Sequence, residues 1–419
     1  MNYSYSDREL TYLPRWLAPR LGRAVADHPI VVLTGARQVG KSTLLRHEEP
    51  TKHWKYLTLD SMDALRQGER DPAGLWAGEN RVILDEVQRL PDILSAVKRS
   101  VDEDPRGMRF VLSGSANLLL MRQVSESLAG RAVYLTLLPM TAGEIHRRPP
   151  PSVVEDVLQG RFPSERELPG RAEAPLSTLA KGFMPSLLTL ASAESRTRWW
   201  EGYAATYLER DLRQLSQVES LSDFRTVMEV LALRCGQLVN QTEVARDSGV
   251  SQATVHRYLN LLETTCLIDR LPAFARNRTT RLIKAPKLHW LDPGLAAYLG
   301  GLHDEESLKA SREAGALFET MVFHHLKALG GTLTPGLRLC HWRTIKGQEA
   351  DLVLEWGRRI AAVEVKLTDS PRSADCAGLE AFLKSHPEAG GAILVHAGRS
   401  VVRMGTKIIA LPWTMLAGL

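Results

Sequence analysis

The sequence predicts an α/β protein whose N-terminal part is a parallel β-sheet with helices on both faces. Three short apolar runs, IVVLTG, RVILDE and RFVLSGSAN, begin at residues 30, 81 and 109. Uninterrupted apolar runs are typical of strands that are buried on both faces, and the segments between these runs are long enough for helices. Strands that alternate with helices build a parallel sheet.

The composition is that of a folded globular chain. Of its 419 residues, 44% are hydrophobic and 24% are charged, which argues against disordered, collagenous and disulfide-scaffold proteins. The net charge of +5 permits an anionic partner but does not require one. Four scattered cysteines give no zinc ribbon. Because no signal peptide or apolar run of about 18 residues is found, we expect a cytoplasmic protein without a membrane partner.

A glycine-rich segment, GARQVGKS, follows the first predicted strand and precedes a predicted helix. In this context Gly35 and Gly40 let backbone N–H groups curl around phosphate oxygens, and the start of the helix favours negative charge. Lys41 is expected to reach the terminal phosphates and Ser42 to bind Mg²⁺, with Thr43 beside them. The segment predicts a site for ATP and Mg²⁺.

Two adjacent carboxylates end the run RVILDE. Asp85 is expected to hold the Mg²⁺ through water, and Glu86 to orient and deprotonate the water that attacks the γ-phosphate. In the run RFVLSGSAN, Ser113, Ser115 or Asn117 could sense the γ-phosphate, and we assign this role to Ser115. A small polar turn is the alternative for this segment.

The segment LAGR places Arg131 after a helical stretch. A guanidinium brought to the nucleotide of a neighbouring subunit would stabilise the charge of the transition state. We therefore predict catalytic roles for Glu86, Lys41 and Arg131, with a surface arginine as the alternative for Arg131. A residue supplied by a neighbour also predicts a homo-oligomer, hypothetically a ring.

Together these motifs resemble those of AAA+ superfamily ATPases. More narrowly, the chain is similar to a widespread prokaryotic family in which such an ATPase precedes an uncharacterised C-terminal region. The resemblance rests on GARQVGKS, VILDEVQ, LSGSAN and LAGR, followed by YLERDL, a helix-turn-helix and an EVK segment. It implies a Mg²⁺-dependent ATP hydrolase. The family's Gly-Gly-Phe-Pro-like element is altered here, where residues 182–185 read GFMP.

The segment TEVARDSGVSQATVHRYLNLLE contains two helical patterns. A helix-turn-helix requires a small residue where its helices cross, a glycine in the left-handed turn and a branched core residue. Ala245, Gly249 and Val255 meet these requirements. The second helix would present its first turns to DNA. The predicted contact residues there are Gln252, Thr254 and Arg257.

The segment that follows, RLPAFARNRTTRLIKAPKLHW, contains basic residues and no acidic one. A two-stranded wing would gather them into a stripe that binds phosphates with little sequence specificity. Docking of a protein and a merely solvated charge run are the alternatives. The basic residues are Arg270, Arg276, Arg278, Arg281, Lys284 and Lys287, of which Arg276, Arg278 and Arg281 are the predicted DNA contacts.

A third charged group lies near the C-terminus. Asp351 begins the run DLVLEW, and in AAVEVK the two-residue period of a strand directs Glu364 and Lys366 to one face. Asp351 and Glu364 would hold Mg²⁺, Lys366 would orient a water, and Glu319 on a preceding helix could complete the metal site. The spacing resembles that of the PD-(D/E)xK nuclease superfamily, whose fold is expected here with or without cleavage of DNA.

These features predict four parts: residues 1–145 as the ATPase core, 146–225 as a proline-rich linker and helical lid, 226–300 as a winged helix-turn-helix, and 301–419 as a nuclease-like domain. The expected function is a Mg²⁺-dependent ATPase that binds DNA and uses hydrolysis to translocate along it or remodel it, as a helicase or branch-migration motor. The alternatives are a metal-dependent DNA nuclease regulated by ATP, and a nucleotide-gated signalling switch.

Overall fold

The computed structural model describes residues 12–114, 128, 130–170, 174–206, 220–275 and 285–419. Five strands form an N-terminal sheet: β1 Ile30–Thr34, β2 Lys55–Thr58, β3 Arg81–Asp85, β4 Arg109–Ser113 and β5 Ala132–Thr136. All neighbours are parallel, in the order β2-β3-β4-β1-β5. The predicted parallel sheet is confirmed.

Both faces of the N-terminal sheet are buried. The first helices of the chain are α1 Ala18–Asp27, α2 Lys41–His47, α3 Met62–Arg70 and α4 Ile93–Glu103. Along β1, Val31 and Leu33 belong to one buried cluster, whereas Ile30 and Val32 belong to another. Side chains alternate between the faces of a strand, so burial on both faces explains why β1 is apolar throughout.

The middle of the chain is mainly helical. Its elements are α5 Ala142–Ile145, α6 Val153–Leu158, β6 Arg166–Glu167, α7 Pro175–Lys181, α8 Ala193–Tyr203, α9 Leu221–Leu233, α10 Gln241–Ser248, α11 Gln252–Thr264, β7 Ile268–Leu271, β8 Lys287–Trp290, α12 Pro293–Leu299 and α13 Glu305–Ala310. The helices α9, α10 and α11 pack on one another, and β7 pairs with β8 in antiparallel register.

The two helices predicted around Gly249 are present as α10 and α11. Gly249 ends α10 with φ of 71°, in the left-handed region that glycine adopts most easily. The side chain of Ser251 then caps α11 by accepting a hydrogen bond from the backbone N–H of Thr254. Ala245 and Val255 are buried between the packed helices.

A mixed C-terminal sheet completes the fold. After the helix α14 Ala314–Gly330 come β9 Arg338–Arg343, β10 Glu349–Trp356, β11 Arg359–Lys366, α15 Ala377–Ser385, β12 Gly391–His396, β13 Ser400–Gly405, β14 Ile408–Pro412 and α16 Trp413–Ala417. The strand order is β6-β13-β14-β12-β11-β10-β9. Both α14 and α15 pack against this sheet.

Part of the segment predicted as a linker belongs to the C-terminal sheet. Strand β6 pairs with β13, and α6 packs on β11 and β12. The physical reason is the apolar face of α6, because Val153, Val154, Val157 and Leu158 are buried there. One cluster of buried side chains continues from the N-terminal sheet through the middle helices into the C-terminal sheet, so the parts share a core.

Two buried histidines of α14 bind the backbone that follows β5. The N–H of Ala142 donates to Nε2 of His325 over 3.0 Å, and Nδ1 of His325 lies 2.7 Å from the carbonyl oxygen of Met321. Nε2 of His324 lies 3.0 Å from the carbonyl oxygen of Met140. Burial lowers the pKa of His324 to about 4 and that of His325 to about 3, so both rings are neutral at pH 7.

Within the described part of the chain, none of the helices combines the length and the apolar character needed to traverse a bilayer.

The buried histidines should make the fold sensitive to acid. Their folded pKa values lie below the unfolded value, so their stabilising contribution is complete above pH 6.5 and is lost as the pH falls toward 3. For His325 alone, the free energy of unfolding should fall by about 2 kcal/mol between pH 7 and pH 5. Denaturant titrations at the two pH values should show a smaller fall in the free energy of unfolding for His325→Gln than for the wild type. His53→Gln, at an exposed histidine, is the control, and equal pH slopes in all three proteins would contradict the assignment.

Candidate functional site

The loop of residues 35–42 connects β1 to α2, and its shape depends on two glycines. Gly35 has φ of 145° and Gly40 has φ of 95°, both in the region that favours glycine. A Cβ atom at Gly35 would lie 2.2 Å from the carbonyl oxygen of Leu137, which follows β5. The loop is therefore fixed against the end of a neighbouring strand and leads directly into the first turn of α2.

Lys41 is buried at the start of α2. Its Nζ donates to the carbonyl oxygens of Gly35 and Ala36, at 3.0 and 2.9 Å. Burial lowers the pKa of Lys41, and the nearby carboxylates of Glu86 and Asp85 oppose this fall. A buried ammonium that is held mainly by neutral carbonyl groups favours an anion beside it, such as a phosphate.

Ser42 and Asp85, the two predicted magnesium ligands of this site, are in direct contact. The hydroxyl of Ser42 donates to Oδ2 of Asp85 over 2.6 Å, and the hydroxyl of Tyr56 on β2 donates to the same oxygen. Asp85 is buried at the carboxyl end of β3. A serine hydroxyl next to a buried carboxylate suits Mg²⁺, which takes few protein oxygens and keeps phosphate and water ligands. Thr43, one residue further along α2, is exposed.

Glu86 follows Asp85 in a left-handed conformation, with φ of 57°. Its backbone N–H donates to Oδ1 of Asp85 over 3.1 Å, and Nε2 of Gln88 donates to its carboxylate. Burial and the neighbouring Asp85 raise the pKa of Glu86. A carboxylate with a raised pKa is a stronger base, as the predicted activation of water requires.

Strand β4 ends beside this group at Ser113. Ser113 is fully buried, and its hydroxyl has no hydrogen-bond partner among the described residues. Ser115, to which the sensing role was assigned, lies outside the described residues, as does Asn117.

Two side chains that the sequence did not single out support the loop of residues 35–42. Arg15 donates from Nη1 to the carbonyl oxygen of Val39 at 2.8 Å and from Nη2 to that of Leu138 at 2.6 Å, while its Nε lies 3.2 Å from Glu144. On the other side, the hydroxyl of Tyr203 lies 3.4 Å from the carbonyl oxygen of Arg37. No local motif marks Arg15, because its partners are distant in sequence.

Arg131 lies far from this loop within its own chain. It directly precedes β5, and β5 is parallel to β1. Arg131 therefore lies at the start of the strands, whereas the loop lies at their carboxyl ends. Its Nε and Nη2 donate to Asp102 near the end of α4, at 2.6 and 3.1 Å. Arg131 therefore forms no part of the phosphate site of its own chain.

The start of α11 presents polar side chains. Gln252 is exposed, and Thr254 and Arg257 are partly exposed. Cys266, in the turn after α11, lines the same cavity as Leu137, whose carbonyl oxygen lies against Gly35 of the loop of residues 35–42.

The predicted basic stripe is corrected at both of its described members. Arg270 of β7 donates to Glu263 and to Asn260 of the preceding helix α11, so its guanidinium is paired within the chain. Lys287 is largely buried and paired with carboxylates. The remaining members, Arg276, Arg278, Arg281 and Lys284, lie outside the described residues.

The charged residues predicted as a third site near the C-terminus lie close together, and a lysine lies among them. Asp351 on β10 lies across from Glu364 on β11, next to Glu319 of α14. Nζ of Lys287 lies 2.6 Å from Glu319 and 3.2 Å from Asp351. Lys366 pairs with Glu364 at 2.6 Å.

This arrangement places an ammonium at the predicted magnesium site of Glu319, Asp351 and Glu364. No group of three potential metal-ligating side chains was found among the described residues, which include all three carboxylates. The ammonium of Lys287 lies between two of them. Burial and the neighbouring Asp351 act to raise the pKa of Glu319 and that of Glu364, and the ammonium of Lys287 opposes this rise at Glu319.

Models of three protein families match the chain. One described as an AAA domain matches residues 27–146, which contain the glycine-rich loop, Asp85 and Glu86. Two described as domains of unknown function, DUF8612 and DUF4143, match residues 176–306 and 314–416. The N-terminal domain is a P-loop ATPase.

Two mycobacterial proteins are similar to most of the chain. They are Uncharacterized protein Rv2008c of Mycobacterium tuberculosis and Uncharacterized protein Mb2031c of Mycobacterium bovis. Each is 34% identical over 358 residues, which are 84% of this chain and 74% of the relative. The chain belongs to their family. Among solved structures, the Walker-type ATPase PABY2304 of Pyrococcus abyssi is 14% identical, with 69% of this chain and 99% of that chain covered and a TM-score of 0.44.

Arg15→Met should both destabilise this family member and weaken its binding of ATP. The substitution leaves Glu144 buried without its cation, which typically costs about 3–5 kcal/mol, and it removes the hydrogen bond to Val39. Chemical unfolding and titration with a fluorescent ATP analogue measure the two effects. Arg161→Met, which breaks an exposed pair with Asp156, should cost about 1 kcal/mol or less. Equal losses in both variants would contradict the supporting role of Arg15.

Proposed function

We propose that this chain is an ATPase that binds DNA through the helix-turn-helix of α10 and α11 and uses ATP to remodel its DNA substrate. The observation that carries the proposal is the position of Cys266, which follows α11 and lines the same cavity as Leu137, the residue whose carbonyl oxygen lies against Gly35 of the loop of residues 35–42. The turn after the predicted DNA-binding helix therefore faces, across a cavity, the strand end that supports the predicted phosphate loop. A change in nucleotide would act on α11 through this strand end.

In the nucleotide site, Lys41 would bind the terminal phosphates, and the Ser42–Asp85 pair would hold Mg²⁺. The metal, when bound, supplies positive charge to the phosphate oxygens. Glu86 would accept a proton from the attacking water, for which its raised pKa is suitable. Ser113, at the end of the adjacent strand, is available to sense the γ-phosphate.

A cavity supports the coupling between the ATPase and the helix-turn-helix. It has a volume of about 390 Å³ and is lined by Leu137 beyond β5, by Arg15, and by Cys266 and Asp269 from the turn and strand after α11. Residues on opposite walls of a cavity can approach or separate without disrupting a packed core. Tyr203, which contacts the opposite side of the nucleotide loop, provides a second connection to the middle helices.

The exposed start of α11 and the composition of residues 276–284 support DNA as the partner. Gln252 and Thr254 are polar groups suited to base edges or phosphates, and Arg257 adds a charge. The segment of residues 276–284 contains four basic residues and no acidic one. Such a set favours contacts to the DNA backbone rather than recognition of a base sequence.

A nucleotide-gated signalling switch is the second candidate function. The pairing of Arg270 with Glu263 favours it, as does the pairing of Arg234 with Glu243 and Asp247, because these arginines are held by carboxylates of the chain. In this case α10 and α11 would bind a protein, and DNA would leave the ATPase rate unchanged.

Glu86→Gln should abolish turnover while preserving nucleotide binding. Loss of a general base reduces the rate by about 10²–10⁴-fold, whereas Lys41, Ser42 and Asp85 remain to bind ATP. In the wild type, the rate should fall on acidification at a pH above the ordinary glutamate value of 4.5, since the pKa of Glu86 is raised. Phosphate release and ATP binding are measured side by side, with Glu103→Gln as the control. A variant that retains turnover would exclude Glu86 as the base.

DNA should stimulate the ATPase, and Gln252→Glu should remove the stimulation by placing a negative charge where α11 meets phosphates. The ATPase rate is measured with single-stranded, duplex, forked and four-way DNA. Gln67→Glu, at an exposed glutamine of α3, adds the same charge away from the helix-turn-helix and should respond like the wild type. If none of the four DNA forms changes the rate, the signalling switch becomes the better assignment.

A further inference from the structure

Lys287 of β8 projects into a pair of buried carboxylates from another part of the chain. Its Nζ lies 2.6 Å from Oε1 of Glu319 on α14 and 3.2 Å from Oδ1 of Asp351 on β10. The exposed fractions of the three side chains are only 13%, 11% and 9%. The lysine thus supplies the positive charge that two carboxylates withdrawn from water require.

A divalent metal ion would use the same oxygens. Mg²⁺ binds carboxylate oxygens at about 2.0–2.1 Å, so an ion shared by Glu319 and Asp351 would occupy the space near Nζ of Lys287. An ammonium and a metal ion cannot share this space, since the two positive charges repel each other in a medium of low dielectric constant. Binding of one therefore excludes the other.

Two further polar atoms at this place lack partners. Oε2 of Glu364 and Nε2 of His289 are buried and have no hydrogen-bond partner among the described residues. Glu364 lies opposite Asp351, and Nε2 of His289 lies 3.7 Å from Glu319. Carboxylate oxygens and a ring nitrogen are typical metal ligands, and leaving them unpaired in the interior costs free energy.

We propose that Lys287 is a built-in counter-ion that closes the group of Glu319, Asp351 and Glu364 to divalent metal ions. Removal of the lysine side chain converts the group into a metal site. The closing contact joins two parts of the fold, because β8 belongs to the hairpin after α11 while the carboxylates belong to α14 and the C-terminal sheet. This inference is independent of the proposed ATPase function.

The test compares Mn²⁺ binding by the full chain before and after removal of Lys287, in the absence of nucleotide. Mn²⁺ binding is measured by calorimetric titration and by thermal melting with and without about 1 mM MnCl₂. The wild type and the matched control Lys327→Ala should give the same Mn²⁺ binding and the same change in Tm with the metal. Lys327 also lies on this side of α14, but it pairs with a single carboxylate, that of Asp269. Lys287→Ala should bind one additional Mn²⁺ and gain roughly 2–4 °C in Tm with the metal.

The double variant Lys287→Ala/Asp351→Asn should lose this gain. If Lys287→Ala folds only in the presence of Mn²⁺, the metal has replaced the ammonium and the proposal is supported. Lys287→Gln, which keeps the length of the side chain, repeats the measurement with less disturbance. The proposal is overturned if the wild type binds the additional Mn²⁺ as tightly as the variants do. It is equally overturned if neither variant gains a site, or if neither folds with Mn²⁺ present.

Discussion

A charge buried in this fold is stable only where an opposite charge or hydrogen bonds replace the lost water. Two lysines meet this constraint in opposite ways. Burial acts to lower the pKa of Lys287, but Glu319 and Asp351 outweigh it and the pKa is raised, whereas burial lowers the pKa of Lys41. Lys41, whose hydrogen bonds go to neutral carbonyl oxygens, therefore gains from an anionic ligand, and Lys287 has no such need. One site is open to a ligand and the other is closed by the protein.

How much could be predicted from the sequence depends on how far apart along the chain the interacting residues lie. The strands around the nucleotide loop and the glycine turn between α10 and α11 depend on spacings of a few residues, which are visible in the sequence. The contacts of Lys287 with Glu319 and Asp351 span 32 and 64 residues. A basic segment without acidic neighbours indicated a phosphate-binding surface, but tertiary contacts paired Lys287 with carboxylates elsewhere. The role of Arg15 was not predicted for the same reason, since one of its partners, Leu138, is 123 residues away in the sequence.

The shared core determines how the parts of this chain can communicate. Two histidines of α14 bind the backbone that follows β5 and so join α14 to the N-terminal sheet. Both rings are neutral, so these contacts involve no charge that a bound ligand could attract or repel. The nucleotide loop is different, because Arg15 and Tyr203 hold its backbone through carbonyl oxygens. A change in the loop would therefore alter the contacts of Arg15, which precedes α1, and of Tyr203 in α8, while the histidine contacts would keep α14 in place. Rigid attachment at one point and adjustable contacts at another are what a coupled motion requires.

The geometry of the N-terminal sheet also bears on assembly. Arg131 and the nucleotide loop lie at opposite ends of parallel strands, and five strand residues span roughly 16 Å. An arginine side chain cannot cross that distance within its own chain, so a role for Arg131 in hydrolysis requires a second copy. The ion pair with Asp102 is a weak obstacle, because exposed pairs contribute about 1 kcal/mol or less. A neighbouring nucleotide, with its concentrated negative charge, would compete effectively for the same guanidinium. A proposed role for Arg131 in hydrolysis is thus also a proposal that the chain self-associates.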